Sequence, residues 1–296
     1  MKTSTEWPVL PAGAGLRLRA YWSLIKSLQT GLLLMTGLAG YLSASASVDW
    51  RVLSQLVPSL FLAISGSTVM NMWWDRDIDA RMRRTHSRAA ASGRISPREV
   101  LALGLATSAI GLGWAMLLDW RYGLVVLAGW SFDVAVYTVW LKRRTCWAIV
   151  WGGIAGAVPI LAGRVLATGG INAIGALLSA SILFWIPTHT LTFSLKFQED
   201  YDAAGVPTFP ASYGVDVTRF LIAGSSVLAG ISMTTAAAWI GAAEGILALI
   251  VILSAVLLFL AGTAVVRPSD RTNLRLYKYA SAYMLLSMLL IIPTRL

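Results

Sequence analysis

Cysteine and charge are the two things this sequence has least of. Cys146 is the only cysteine in 296 residues, which excludes an intrachain disulfide. Charged residues make up 13% of the chain, against about 25% in an ordinary soluble domain. Acids are scarcer still: 14 Asp and Glu stand against 24 Lys and Arg. There is no Ser/His/Asp or Cys/His arrangement that would supply a covalent intermediate. No linker divides the chain, no internal repeat of the kind many transporters carry is visible, and the mixed, polar stretch from Met1 to Arg19 lacks the apolar run of a cleavable signal peptide. What fills the chain instead is hydrophobic: 57% of residues, with a mean hydropathy of +0.69. That balance describes an integral membrane protein, expected as one transmembrane domain over 1–296 with residues 1–20 as a cytoplasmic segment.

A spanning helix needs about 20 apolar residues. The pattern predicts an all-α bundle of nine transmembrane helices around a central cavity, at about 24–44, 52–74, 98–118, 122–141, 147–168, 171–195, 217–239, 243–266 and 276–294. The net charge of +10 would suggest nucleic acid in a soluble protein. Here the basic residues lie in short loops between apolar runs, and 20 of the 24 fall on one side of the predicted bundle. Topology and anionic lipid headgroups account for them, and no nucleic-acid partner is expected. By the positive-inside rule the N-terminus lies inside and the C-terminus outside. For a prokaryotic chain the inside is the cytoplasm and the membrane is the cell membrane.

The acids break the pattern. Asp75, Asp77 and Asp79 follow the second span, and Glu199, Asp200 and Asp202 follow the sixth, both on the basic side. Topology needs no acids there, so a cation is expected. Asn71, Asp75 and Asp79 are spaced by four, which stacks them on one helical face. Like charges so placed repel, and a hard divalent cation relieves the cost; Mg²⁺ favours carboxylates together with phosphate oxygens. Arg76, Arg81, Arg83 and Arg84 flank the row, as suits a metal-bound diphosphate. An ordinary solvated, charge-paired helix end would show the same spacing. Asp77 points off the stripe and reads as structural.

The words AsnMetTrpTrpAspArgAspIleAspAlaArgMetArgArgThr at 71–85, TyrThrValTrpLeuLysArgArgThr at 137–145, TrpGlyGlyIleAlaGlyAlaValPro at 151–159 and GluAspTyr…AlaGlyValProThrPhePro at 199–210 resemble the UbiA-type intramembrane prenyltransferases, and among them the protohaem IX farnesyltransferase (haem O synthase) group. The likeness covers roughly 20–215; the last three spans share only hydropathy. It implies Mg²⁺ held by Asn71, Asp75, Asp79 and Asp200, and an isoprenyl diphosphate, expected to be farnesyl diphosphate, contacted by Arg81, Lys142, Arg143 and Lys26. It also implies Tyr137 as an aromatic face for an allylic cation and haem B as acceptor, met by His189 and Lys196. Lys196 stands where the broader family often carries a first Asp. The sequence departs from the family at Arg88, which Ala89-Ala90-Ala91 follows, and at Pro187, one place early. Asp133, mid-span, has no family counterpart; an intramembrane carboxylate is costly unless paired or wet, and it is assigned to the acceptor cavity. Within the class, a quinone precursor, a glycerol-phosphate lipid or a chlorophyllide remains open as acceptor. A transporter is the alternative from another class.

Overall fold

The computed structural model describes residues 14–45 and 47–292, and within them every regular element is helical. In chain order they are α1 (Ala14–Leu24), α2 (Ser27–Leu42), α3 (Trp50–Trp74), the short α4 (Arg76–Asp79), α5 (Pro97–Leu118) and α6 (Trp120–Ser131). A π-helical stretch, Phe132–Leu141, continues α6. Then come α7 (Ala148–Thr168), α8 (Ala173–Lys196), α9 (Gln198–Ala204), α10 (Phe209–Tyr213), α11 (Val215–Ile240), α12 (Glu244–Val266) and α13 (Asp270–Ile291).

Local chemistry sets the ends. Asp49, Asp119 and Asn172 each accept a backbone N–H of the helix they precede, and Ser96 with Glu99 forms a capping box behind Pro97. Gly169 and Gly241 close α7 and α11 in the left-handed conformation that glycine adopts freely.

Among the described residues, seven helices are long and apolar enough to cross a bilayer. The two others expected to span, α2 and α13, fall short for different reasons. α2 has 16 residues, about 24 Å of helix. α13 has 22 residues, but Asp270, Arg271, Asn273, Arg275 and Lys278 occupy its first half. The first and last boundaries also differ from expectation. The first helical segment already begins at Ala14 and breaks at Lys26, whose φ is 44°. The last begins at Asp270 rather than 276. Positions 1–13 of the expected cytoplasmic segment, with Lys2, and Arg295 near the C-terminus lie outside the described residues.

Sequential neighbours pack together from α3 through α5, α6, α7, α8, α11, α12 and α13, and α13 and α3 both return to α2, which closes the ring. α2 also runs along α7. The connections 75–96, 142–147 and 197–214 meet at one end of this ring, tied by Lys142 to Asp75, Arg143 to Asp77 and the Arg83 and Arg84 amides to Asp200. The fold thus gathers the sequence-distant charged words into one place.

Candidate functional site

The acid row survives a bend in the chain. α3 ends at Asp75 and α4 begins at Arg76, yet Asp75 N bonds Asn71 O at 2.9 Å and Asp79 N bonds Asp75 O at 2.8 Å. The i to i+4 register therefore holds across the break, and Asn71, Asp75 and Asp79 stay on one side. Asp75 and Asp79 are buried, at 1% and 4% exposure, so both need partners.

The structure shows what those partners are. Lys142 forms an ion pair with Asp75 Oδ2. Arg88 Nη1 donates to both oxygens of Asp79, at 2.9 and 2.7 Å. Asn71 donates its amide N–H to Thr138 Oγ1 at 2.8 Å. Asp75 Oδ1 is buried without a hydrogen bond, with only Arg143 near it at 3.7 Å. Burial pushes the Asp75 carboxyl above its ordinary range, against the pull of the Lys142 ammonium.

Asp200 also anchors a loop. Its two oxygens accept the backbone N–H groups of Arg83 and Arg84, each at 3.2 Å. It therefore ties the 80–88 loop to the start of α9. The four expected metal ligands thus have separate protein partners, and among the described residues no group of three or more His, Cys, Asp or Glu side chains is gathered closely enough to hold a metal ion. The cations explain this: with Lys142 and Arg88 inserted, the carboxylates have no need to converge.

The expected phosphate contacts are also distributed unevenly. Arg143 is bidentate on Asp77, at 2.8 and 2.6 Å, and donates to Trp74 O at 2.8 Å. Those bonds hold the Asp77 carboxyl below its usual range and bear out its structural reading. Lys142 lies 5.6 Å from the centroid of the Tyr137 ring, and both line a small cavity with Leu191, Ser194, Tyr201 and Phe209. Arg81 is exposed. Lys26 sits in the break between α1 and α2, half-buried. Asp133 retains accessible surface although it lies mid-span.

His189 and Lys196 belong to the α8–α13 seam. The His189 ring is stacked between Trp185 and Tyr277, both 4.8 Å away, and its Nδ1 is 3.2 Å from Ser281 Oγ. Both faces are covered, so Nε2 is the ring nitrogen left for a further partner. His86 is exposed beside Arg83 O, an ordinary loop residue. Two site residues were not anticipated. Thr138 follows Tyr137 inside a quoted word, but its role depends on Asn71. Arg88 appeared only as a departure from the family. Ala89 and Ala90 beside it are buried against residues of α1, α3 and α5, which explains why small residues follow it.

Comparison with known proteins agrees with this architecture. Residues 33–289 match the UbiA prenyltransferase family. Protoheme IX farnesyltransferase of Archaeoglobus fulgidus is 39% identical over 267 residues, covering 90% of this chain and 94% of the relative. Protoheme IX farnesyltransferase 1 of Pyrobaculum aerophilum is 37% identical over 288 residues, covering 94% and 99%. Among solved structures, a digeranylgeranylglyceryl phosphate synthase superposes with a TM-score of 0.79 at 20% identity, covering 95% of this chain and 99% of that one. A UbiA homologue from Archaeoglobus fulgidus bound to GPP and Mg²⁺ gives 0.70 at 17% identity, covering 92% and 99%.

Proposed function

Because this chain belongs to the UbiA prenyltransferase family, we propose that it transfers a farnesyl group from its diphosphate to a vinyl group of protohaem IX, giving haem O. The observation that carries this reading is the sequence likeness to protohaem IX farnesyltransferases over nine-tenths of the chain. The acid-and-base wall supplies the chemistry. Its place is the cytoplasmic rim of a nine-helix bundle in the cell membrane, with α2 and α13 completing the crossings and the apolar interior open to the prenyl chain and to membrane lipid.

The donor set suits a hard cation. Asp75 Oδ1 is buried and without a hydrogen bond, and the Asn71 amide spends its N–H on Thr138, which leaves its carbonyl oxygen for a cation. Asn71, Asp75, Asp79 and Asp200 would hold Mg²⁺, which when bound supplies neutralising charge to the leaving diphosphate. The Asp75 and Asp79 carboxylates are already paired with Lys142 and Arg88, the cations that a diphosphate would also meet. The incoming phosphate oxygens then compete for those cations.

Lys142, Arg143, Arg81 and Lys26 stabilise the departing oxygens. The allylic C–O bond breaks, and the face of Tyr137 stabilises the cationic carbon. The terminal vinyl carbon of the acceptor attacks that carbon. Charge then rests on the vinyl carbon beside the macrocycle, where water adds and releases a proton. His189, Asp133 and Lys196 are assigned to the acceptor side.

A second reading, transfer to a glycerol-phosphate lipid, has the fold likeness to digeranylgeranylglyceryl phosphate synthase in its favour; at 20% identity that likeness concerns fold alone. One assay separates the two. The protein in detergent, with Mg²⁺, is given farnesyl diphosphate and haem B, with Asp75→Ala alongside. Prenylated haem made by the parent and lost in the variant is expected. Diphosphate release without prenylated haem would retain prenyl transfer and reject the haem acceptor.

A further inference from the structure

Along the seam between α8 and α13 lies a second cavity of about 180 Å³, lined by Thr192, Phe193, Lys196, Phe197, Asn273 and Tyr277. Aromatic rings and Lys196 line it, and Arg84 lies against two of those rings. Phe193 packs on Phe197 with ring centroids 4.5 Å apart, and on Tyr277 at 5.9 Å. The Arg84 guanidinium lies 4.8 Å from the Phe193 centroid and 5.6 Å from that of Phe197. The Lys196 ammonium lies 5.2 Å from the Phe197 centroid. Among the described residues neither cation has a carboxylate within salt-bridge distance, in contrast to Arg88, Lys142 and Arg143.

This arrangement is held from both sides. Asp200 binds the Arg83 and Arg84 amides, so the same carboxylate that borders the donor wall lays Arg84 across α8. On the other side, Asn273 Nδ2 donates to Thr192 O at 2.8 Å, and Tyr277 stacks on His189. Two cations resting on aromatic faces, without acids to satisfy them, suit an anion carried on an apolar stem: the rings take the stem and the cations take the charge. Volume narrows the ligand. A site that encloses a whole drug-sized molecule is about 300–1,000 Å³, so this cavity takes an arm of a ligand and not a macrocycle. Its position is next to the donor wall, because Thr192, Phe193 and Lys196 face the seam while Leu191 and Ser194 of the same helix line the small cavity beside Tyr137 and Lys142.

The geometry points to a carboxylate clamp: Arg84 and Lys196 hold a propionate arm of the acceptor, with Phe193, Phe197 and Tyr277 against its aliphatic stem. The clamp rests on the reading above that the acceptor is a porphyrin.

The test measures binding apart from turnover. The protein in phosphatidylcholine nanodiscs is titrated with zinc protoporphyrin IX, and with its dimethyl ester, which keeps the macrocycle and removes the charge. Arg84→Gln and Lys196→Met are each expected to weaken binding of the diacid roughly tenfold, the loss of one charge-assisted hydrogen bond, while the ester's affinity does not change between parent and variants. Lys196→Arg restores diacid binding, which separates the clamp from misfolding. In turnover, the KM for haem B rises in both variants and the KM for farnesyl diphosphate does not. Equal affinity of the parent for diacid and ester, or loss of both alike in the variants, overturns the clamp. If haem is not prenylated but the diacid binds and is lost with Arg84→Gln, the acceptor reaction fails and the clamp stands. If haem O forms with an unchanged KM in both variants, the clamp fails and the reaction stands.

Discussion

Thr138 supplies no ligand atom, yet it decides which way Asn71 faces. Its hydroxyl donates to Asp133 O at 2.7 Å and accepts from the Asn71 amide at 2.8 Å. Thr138→Val keeps the shape and removes the acceptor, so the Asn71 carbonyl loses its fixed direction. Changes in the partners of a metal ligand cost about 10–100-fold in metal affinity. The Mg²⁺ concentration for half-maximal rate should therefore rise about tenfold, with most of the rate recovered at saturating Mg²⁺; an unchanged Mg²⁺ requirement would show that this amide is not oriented for the ion. Arg88 carries a different risk. Its removal leaves Asp79, 4% exposed, as a buried charge without its ion-pair partner, and breaking such a pair costs about 3 kcal/mol or more. Arg88→Ala should lower the thermal midpoint clearly, and adding Asp79→Asn should recover much of the loss; a double variant as unstable as the single one would deny the pairing. At this scale the sequence reveals the acid row, because helical spacing alone aligns Asn71, Asp75 and Asp79. It conceals Arg88, because the turns between 80 and 96 have no period from which a partner could be computed.

The long helices were legible at the scale of elements because each is an apolar run bounded by capping or charged residues, as at Asp119-Trp120-Arg121 and Ser96-Pro97. The π-helical stretch was not. In FDVAVYTVWL nearly every side chain is apolar, so no alternation distinguishes an i to i+5 path from an i to i+4 one; only the structure shows Lys142 N bonding Tyr137 O at 2.8 Å. The break at Lys26 was hidden for a related reason, since a positive φ at lysine follows from tertiary constraint and not from residue type. Helix packing offers a sharper test. α2 and α7 approach so closely that a Cβ at Gly163 would lie 1.9 Å from Gly37 O, a backbone atom that cannot swing away. Gly163→Ala must push the helices apart, and overpacking of this kind costs about 1–3 kcal/mol. Gly113 on α5 meets nothing within 4 Å, so Gly113→Ala should leave the thermal midpoint unchanged or slightly raised. Equal midpoints for the two variants would mean that α2 and α7 are not in this contact. The consequence extends to the site, because α2 follows directly on Lys26 and α7 follows the Lys142 loop.

Across the whole molecule, charge and connectivity single out the same end. The basic loops are also the loops that bond to one another: Arg17 meets Glu99, Arg143 meets Asp77, and Trp147 meets Tyr213. At the other end, Arg164 bonds Ser43 and Asn172, and few basic residues accompany it. By the positive-inside rule the proposed orientation keeps that end in the cytoplasm, which would place the donor wall where a soluble diphosphate can reach it. Single cysteines can test this once Cys146, buried in the fold, is changed by Cys146→Ser. Ser212 and Ala243 are both exposed, one at each end of α11. With a membrane-impermeant maleimide, Ala243→Cys should label in intact cells and Ser212→Cys only in inverted vesicles. The reverse pattern would invert the orientation, and labelling of both from one side would remove α11 as a crossing. A pair of cysteines on either side of α2, Ser23→Cys and Ser47→Cys, tests whether α2 crosses. α2 gives about 24 Å of helix against a hydrocarbon core of about 30 Å, so its crossing depends on neighbours α3, α7 and α13 and on the end residues reaching the interface. With Ser47→Cys labelled from outside, labelling of Ser23→Cys, exposed ahead of α2, only in inverted vesicles makes α2 a full span, as a nine-helix bundle requires; labelling of both from outside would leave α2 re-entrant and place the first complete crossing at α3.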